Sequence, residues 1–242
     1  MSDGTMNILD HLDELRKRII ITVGVFLSLF ILVFVFIRDI YNWFVKDLNE
    51  PLTILGPLDI LWVYFTLAGV IALTLTIPVI VFQIWLFVKP ALTKREQRVT
   101  LVYIPASFLL FVGGLFFGYF VVMPLVLNFL TGLGQDMFQT MYTPDRYFHF
   151  VMRMTVPFSV LFELPLVVML LTSLGIITPS GMKKNRKYAY FVIVVVSVLI
   201  SPPDFISDVL VIIPLLFLYE LSINLATVVY RRKLKKDQKK WS

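Results

Sequence analysis

Two short acidic segments hold the residues of this chain whose types and spacing could do chemistry. The first, His11-Leu12-Asp13-Glu14-Leu15-Arg16-Lys17-Arg18, stands directly before an apolar stretch of 19 residues, Ile19 to Ile37. The second, Lys94-Arg95-Glu96-Gln97-Arg98, lies between two further apolar stretches. Both set carboxylates among basic residues. A carboxylate in that setting can receive the planar donor fork of a guanidinium group, while its lysine and arginine neighbours stay near phospholipid headgroups. Two such carboxylates at one membrane face suit a ligand with two guanidinium groups. Spacing leaves a plainer alternative open. Glu14 precedes Arg18 by four residues and Asp13 precedes Lys17 by four, so intrahelical pairs worth about 0.2–0.5 kcal/mol also account for the first segment. Glu96 has the same alternative in Lys94, Arg95 and Arg98.

A third acid, Glu163, falls in Phe162-Glu163-Leu164-Pro165 near the middle of an apolar stretch. A charge at the centre of a membrane helix costs about 2.5–3.5 kcal/mol on insertion scales. The glutamate stem is too short to reach an interface, so the residue should face the bundle, be protonated or contact intruding water. Arg153 lies ten residues away, roughly 15 Å along a helix, too far for a direct pair. Asp204 and Asp208 flank the turn Ser201-Pro202-Pro203-Asp204, where Asp204 fits the role of a cap on the last helix.

Nothing else suggests catalysis. The two histidines, His11 and His149, belong to no zinc-binding helix pattern, and the chain has no P-loop and no nucleophile elbow. With no cysteines, disulfides and thiolate metal sites are excluded. The reading is a non-enzyme that draws any work from an ion gradient or a partner.

The elements that position these residues follow from composition. Of 242 residues, 58% are hydrophobic and 16% charged, with mean hydropathy +0.85. Soluble domains carry roughly 25% charged residues, so the class is an all-α polytopic membrane protein. Six spans are predicted, about 19–37, 62–88, 101–127, 151–174, 188–202 and 208–226, in a single integral membrane domain over 1–242. The first is too long for a signal-peptide core and lacks a small-residue cleavage pattern, so it should stay as a helix. The net charge of +6 gathers in segments between spans rather than in a nucleic-acid-binding patch. One side holds 18 of the 22 basic residues, and the other only Arg38, Lys46, Arg146 and Arg153. The positive-inside rule then puts both termini in the cytoplasm.

The last two spans should be short. Lys187 and Asp204 bracket 16 residues, Asp208 and Glu220 only 11, against about 20 for a perpendicular span. They make either a short hairpin that thins the bilayer, a pair with acids facing a wet interior, or a re-entrant pair packed on longer helices. Ile40, Trp43 and Phe44 follow helical spacing in the first outer loop and predict a short interfacial helix. Prolines 78, 105, 124, 157, 165, 202, 203 and 214 lie in or beside spans and favour kinks, which suit a cupped bundle. Gly114 and Gly118 form a small-xxx-small spacing that fits either internal packing or an oligomer contact.

Taken in order, the segment from His11 to Arg18, Ile77-Pro78-Val79-Ile80-Val81-Phe82-Gln83-Ile84-Trp85, Phe87-Val88-Lys89-Pro90-Ala91-Leu92, Glu96-Gln97-Arg98, Phe162-Glu163-Leu164-Pro165, Ser201-Pro202-Pro203-Asp204 and Pro214 to Glu220 closely resemble the TatC component of the twin-arginine protein translocase. The likeness covers nearly the whole chain and is closest to forms from Gram-positive bacteria. It implies six helices in a cupped bundle in a bacterial cytoplasmic membrane, and a receptor and assembly platform for export of folded proteins, driven by the proton gradient without cofactors. It implies that Glu14 and Glu96 recognise the paired arginines of signal peptides, with Arg16, Phe87, Pro90 and Leu92 on the same surface. It also implies contacts with single-span TatA-type subunits (TatB-type where present) around Ser201, Asp204 and Asp208, self-association in a complex, and a polar intramembrane role for Glu163. Asp208 departs from relatives with an uncharged polar residue there, and the first outer loop is locally distinct. The competing function is a proton-coupled small-solute transporter using Glu163, which should show inverted repeats around a midplane cavity. A passive scaffold would leave Glu14 and Glu96 without a ligand.

Overall fold

The computed structural model describes residues 8–46, 56–89, 97, 100–132, 143–201 and 205–238, and among them there is no strand. Five helical stretches are long and apolar enough to cross a membrane: Asp13–Val35, Leu58–Val88, Tyr103–Gly132, Pro144–Leu174 and Phe205–Arg231. Their large apolar side chains point outward rather than in. Ile31 is 65% exposed, Phe217 68% and Leu109 69%. Water does not tolerate such faces over whole helices, and hydrocarbon does.

The chain divides into two compact units, residues 1–51 with 56–108 and residues 52–55 with 109–242. In the first, α1 (Ile8–Val35) runs into α2 (Ile37–Val45) through Phe36, and α3 (Pro57–Val88) lies along both. Gly56 opens α3: its N–H donates to the Asp59 carboxylate (2.9 Å), and Pro57 takes the first helical position, where its missing N–H costs nothing. Phe30 of α1 stacks on Phe65 of α3 with centroids 5.8 Å apart, and Phe34 meets the same ring tilted by 45° at 5.1 Å. Helix α2 forms where Ile40, Trp43 and Phe44 predicted a short amphipathic helix. Trp43 is 63% exposed, while Tyr41 meets Tyr64 edge-on at 5.6 Å.

Helix α4 (Tyr103–Phe117) begins in the first unit and, from Leu109 on, belongs to the second, where it passes through one π-helical turn, Gly118–Val122, into α5 (Met123–Gly132). The turn stands just before Pro124, which cannot supply the N–H that the Phe120 carbonyl would otherwise receive. The fourth span comprises α6 (Pro144–Leu161) and α7 (Leu164–Leu174), separated at Phe162 and Glu163. It begins at Pro144, not at 151 as the apolar pattern suggested. Thr143 caps it by accepting from the Arg146 N–H (3.4 Å), so Asp145, Arg146 and His149 are helical although polar. Gly175 ends α7 at φ 82°, a left-handed conformation that glycine adopts at no steric cost.

A short α8 (Pro179–Lys184) then leads into α9 (Arg186–Ile200) and α10 (Phe205–Gln238). Helix α9 has 15 residues, about 22 Å at 1.5 Å each, and falls short of a full span. The expectation for the last helix needs correction, because α10 runs 34 residues and supplies a 27-residue apolar window. Glu220 does not interrupt it. Arg186 donates to one Glu220 oxygen (2.7 Å) and the Tyr190 hydroxyl to the other (2.6 Å), which offsets the cost of the charge within the helix.

Gly114 and Gly118 serve packing within the chain. A β-carbon on Gly114 would stand 2.5 Å from the Ser159 Cα, and one on Gly118 2.7 Å from the Thr155 Cα. The two glycines therefore let α4 and the π-turn approach α6 backbone to backbone. Phe117 fills the space beside them, 5.7 Å from the Phe158 ring and 5.4 Å from the Phe162 ring.

Candidate functional site

Glu14 lies on the second turn of α1, half-buried, and its carboxylate accepts from the Arg18 guanidinium one turn further on. The second terminal nitrogen of Arg18 donates to the Gln83 backbone carbonyl of α3 (3.1 Å). Arg18 thus joins the two helices, and its side chain keeps only 14% exposure, against 31% for Glu14. The i,i+4 pair anticipated from spacing exists. Its partial burial makes it more than a solvated surface contact.

Below the pair, a groove of about 210 Å³ runs between α1 and α3, walled by Leu15, Ile19, Ile80, Ile84 and Phe87 with Arg18 at its head. The Glu14–Arg18 pair and an apolar trough are therefore contiguous within one unit. Arg16 is exposed on the same helix. The structure brings Glu14, Arg18 and Phe87 together. Pro90, Leu92 and Glu96 lie outside the described residues.

At the end of α3 the Trp85 indole N–H donates to the Thr100 hydroxyl (2.8 Å), which donates to the Gln97 carbonyl (3.3 Å). The Gln97 side chain donates back to the Lys89 carbonyl (3.0 Å), and the Lys89 ammonium sits 5.2 Å from the Trp85 ring centre. These bonds tie residues 97 and 100 to the helix from which Phe87 projects. Trp85 and Thr100 were not singled out as site residues from sequence. An aromatic with a polar edge followed by a basic residue one turn on was the available signal.

In the second unit the Ser201 hydroxyl, buried, donates to the Asp208 carboxylate and shares the Ser197 carbonyl at 2.8 Å. Arg153 donates to the Leu199 carbonyl (3.1 Å), closing the same end of α9. Two of the three residues assigned to partner contact are thus joined, and Asp204 lies outside the described residues. Glu163 stands in the break between α6 and α7. Its N–H donates to the Val160 carbonyl (3.1 Å), its own carbonyl accepts from Leu166 and Val167 (both 3.0 Å), and its Oε1 is buried. Pro165 explains the break, because it removes a donor and crowds the Leu161 carbonyl. No group of three or more metal-ligating side chains occurs among the described residues.

An all-helical chain with five apolar helices of spanning length, most of their large side chains turned outward, is a multi-pass membrane protein. It belongs to the TatC family. The family model described as Sec-independent protein translocase protein (TatC) matches residues 10–214. The Bacillus subtilis (strain 168) Sec-independent protein translocase protein TatCd is 52% identical over 98% of both chains, and TatCy of the same organism is 41% identical over 97% of this chain and 94% of its own. A crystal structure of the twin-arginine translocase receptor TatC superposes with TM-score 0.79 at 36% identity, covering 90% of this chain and 99% of that one. The resemblance drawn from the motifs is borne out, and the small-solute transporter gives way to it.

Proposed function

We propose that this chain is the twin-arginine signal-peptide receptor and core assembly platform of a translocase that exports folded proteins across a bacterial cytoplasmic membrane. The observation that carries the reading is the Glu14 carboxylate engaged by the Arg18 guanidinium, which itself lines an apolar groove between α1 and α3. An arginine of a signal peptide would offer a guanidinium to the same carboxylate. The apolar stretch of such a peptide would follow α1 and α3 downward. Glu96 takes the second arginine, and Arg16, Phe87, Pro90 and Leu92 complete the surface.

The chain works without catalysis, its transport step drawing on the proton gradient. Six spans cross the membrane with both termini in the cytoplasm, as the 18 basic residues on one side support, and α9 crosses as the short fifth span. Its 15 residues fit a locally thinned bilayer. Single-span TatA-type subunits dock around Ser201, Asp204 and Asp208, and the chain associates with further copies in the assembled complex. Crosslinking a twin-arginine peptide to cysteines placed beside Glu14 and Glu96 tests the reading. Adducts at both segments support it, and adducts only at distant helices overturn it.

A further inference from the structure

We infer that Arg18 is a built-in competitor for the guanidinium site: it occupies the Glu14 carboxylate until a paired-arginine peptide displaces it. The inference rests on the receptor reading above. Arg18 sets a guanidinium nitrogen on one Glu14 carboxylate oxygen, the kind of contact a ligand arginine would make. Three features distinguish it from an ordinary helix-surface pair. Its other terminal nitrogen is committed to the Gln83 carbonyl of α3. Its side chain is largely buried in the seam at the head of the groove. Its Nε is buried with no acceptor among the described residues, so the guanidinium is held in place yet incompletely satisfied.

A resident competitor lowers the apparent affinity of every guanidinium ligand by one factor, the fraction of time the carboxylate is vacant. Ligands that reach a single carboxylate then fall below useful affinity. A peptide with two arginines, meeting two carboxylates, still binds. Displacement also removes Arg18 from the groove wall, so the apolar trough widens only when the arginine site fills. The receptor's own side chain thereby sets the affinity threshold for every guanidinium ligand, while the ratio between paired- and single-arginine peptides stays the same.

The full-length chain in nanodiscs, titrated with a synthetic twin-arginine signal peptide and a version with one arginine replaced by lysine, tests this. Arg18→Gln should tighten both peptides by the same factor, roughly three- to tenfold. Lys17→Gln removes the same charge one residue away without vacating Glu14, and should change affinity by less than about twofold. Arg18→Lys keeps the charge but loses the fork that spans Glu14 and Gln83, so it should tighten binding by a smaller factor than Arg18→Gln. It answers the question if Arg18→Gln does not fold. Equal gains in Arg18→Gln and Lys17→Gln would make the effect one of net charge and overturn the inference. Unchanged or weaker binding in whichever Arg18 variant folds would also overturn it. Glu14→Gln separates the two claims: unaltered peptide affinity there sinks the receptor reading, whereas a loss there with no gain at Arg18 sinks the competitor alone.

Discussion

Gly114 and Ser159 approach so closely that a β-carbon on the glycine would lie 2.5 Å from the Ser159 Cα and 2.8 Å from the Phe158 carbonyl oxygen. Backbone rather than a flexible side chain stands in the way, so neither helix can yield without moving as a whole. The same holds one turn on, at Gly118 against Thr155. Gly114→Ala and Gly118→Ala should each cost about 1–3 kcal/mol, as overpacked interiors do. Gly113→Ala is the control, because nothing lies within 4 Å of its β-carbon position. Thermal unfolding in detergent should show losses for the first two and not for the third.

The Glu220 carboxylate is shared between Arg186 and Tyr190, 34 and 30 residues away. Tyr190→Phe should lower stability through the lost hydrogen bond. A double-mutant cycle with Glu220→Gln should give a non-zero coupling between the two positions. Additive losses would show that the hydroxyl contact contributes nothing.

These two relationships mark what was legible and what was not. The glycine spacing, the helix-breaking Pro165 and the amphipathic α2 are local patterns, and the structure contains each. The pairing of Arg186 with Glu220 is tertiary. Read along the chain, Glu220 shortened the last span to 11 charge-free residues, whereas its partners let α10 continue to Gln238. The start of α6 was hidden in the opposite way, because Asp145, Arg146 and His149 read as loop until the Thr143 cap and Pro144 are weighed. At the candidate site the Glu14–Arg18 pair followed from spacing. The reach of Arg18 to a backbone carbonyl of α3 did not, since a carbonyl carries no sequence signal.

Topology gives a clean chemical test, because the chain contains no cysteine. Single cysteines at Ser2 and Ser242 should react with an impermeant maleimide only from the cytoplasm, and one at Asn49 only from outside. The charge asymmetry of 18 against 4 basic residues motivates the prediction. A terminus reactive in intact cells would overturn it.

Glu163 should act in export rather than in recognition. It sits in the break between α6 and α7, far along the chain from Glu14. Glu163→Gln keeps its size and hydrogen bonding and should be mild, whereas Glu163→Leu should impair export while leaving peptide binding intact. Parallel export and binding assays separate the steps. A fully active leucine variant would show the acid to be dispensable.

Direct titration of a twin-arginine signal peptide against the chain and its Glu14→Gln and Glu96→Gln variants tests the central claim. Charge-assisted hydrogen bonds contribute about 1.5–3 kcal/mol, so each variant should bind roughly tenfold or more weakly. Unchanged affinity in both variants would contradict the assignment of these carboxylates as the receptor for paired arginines.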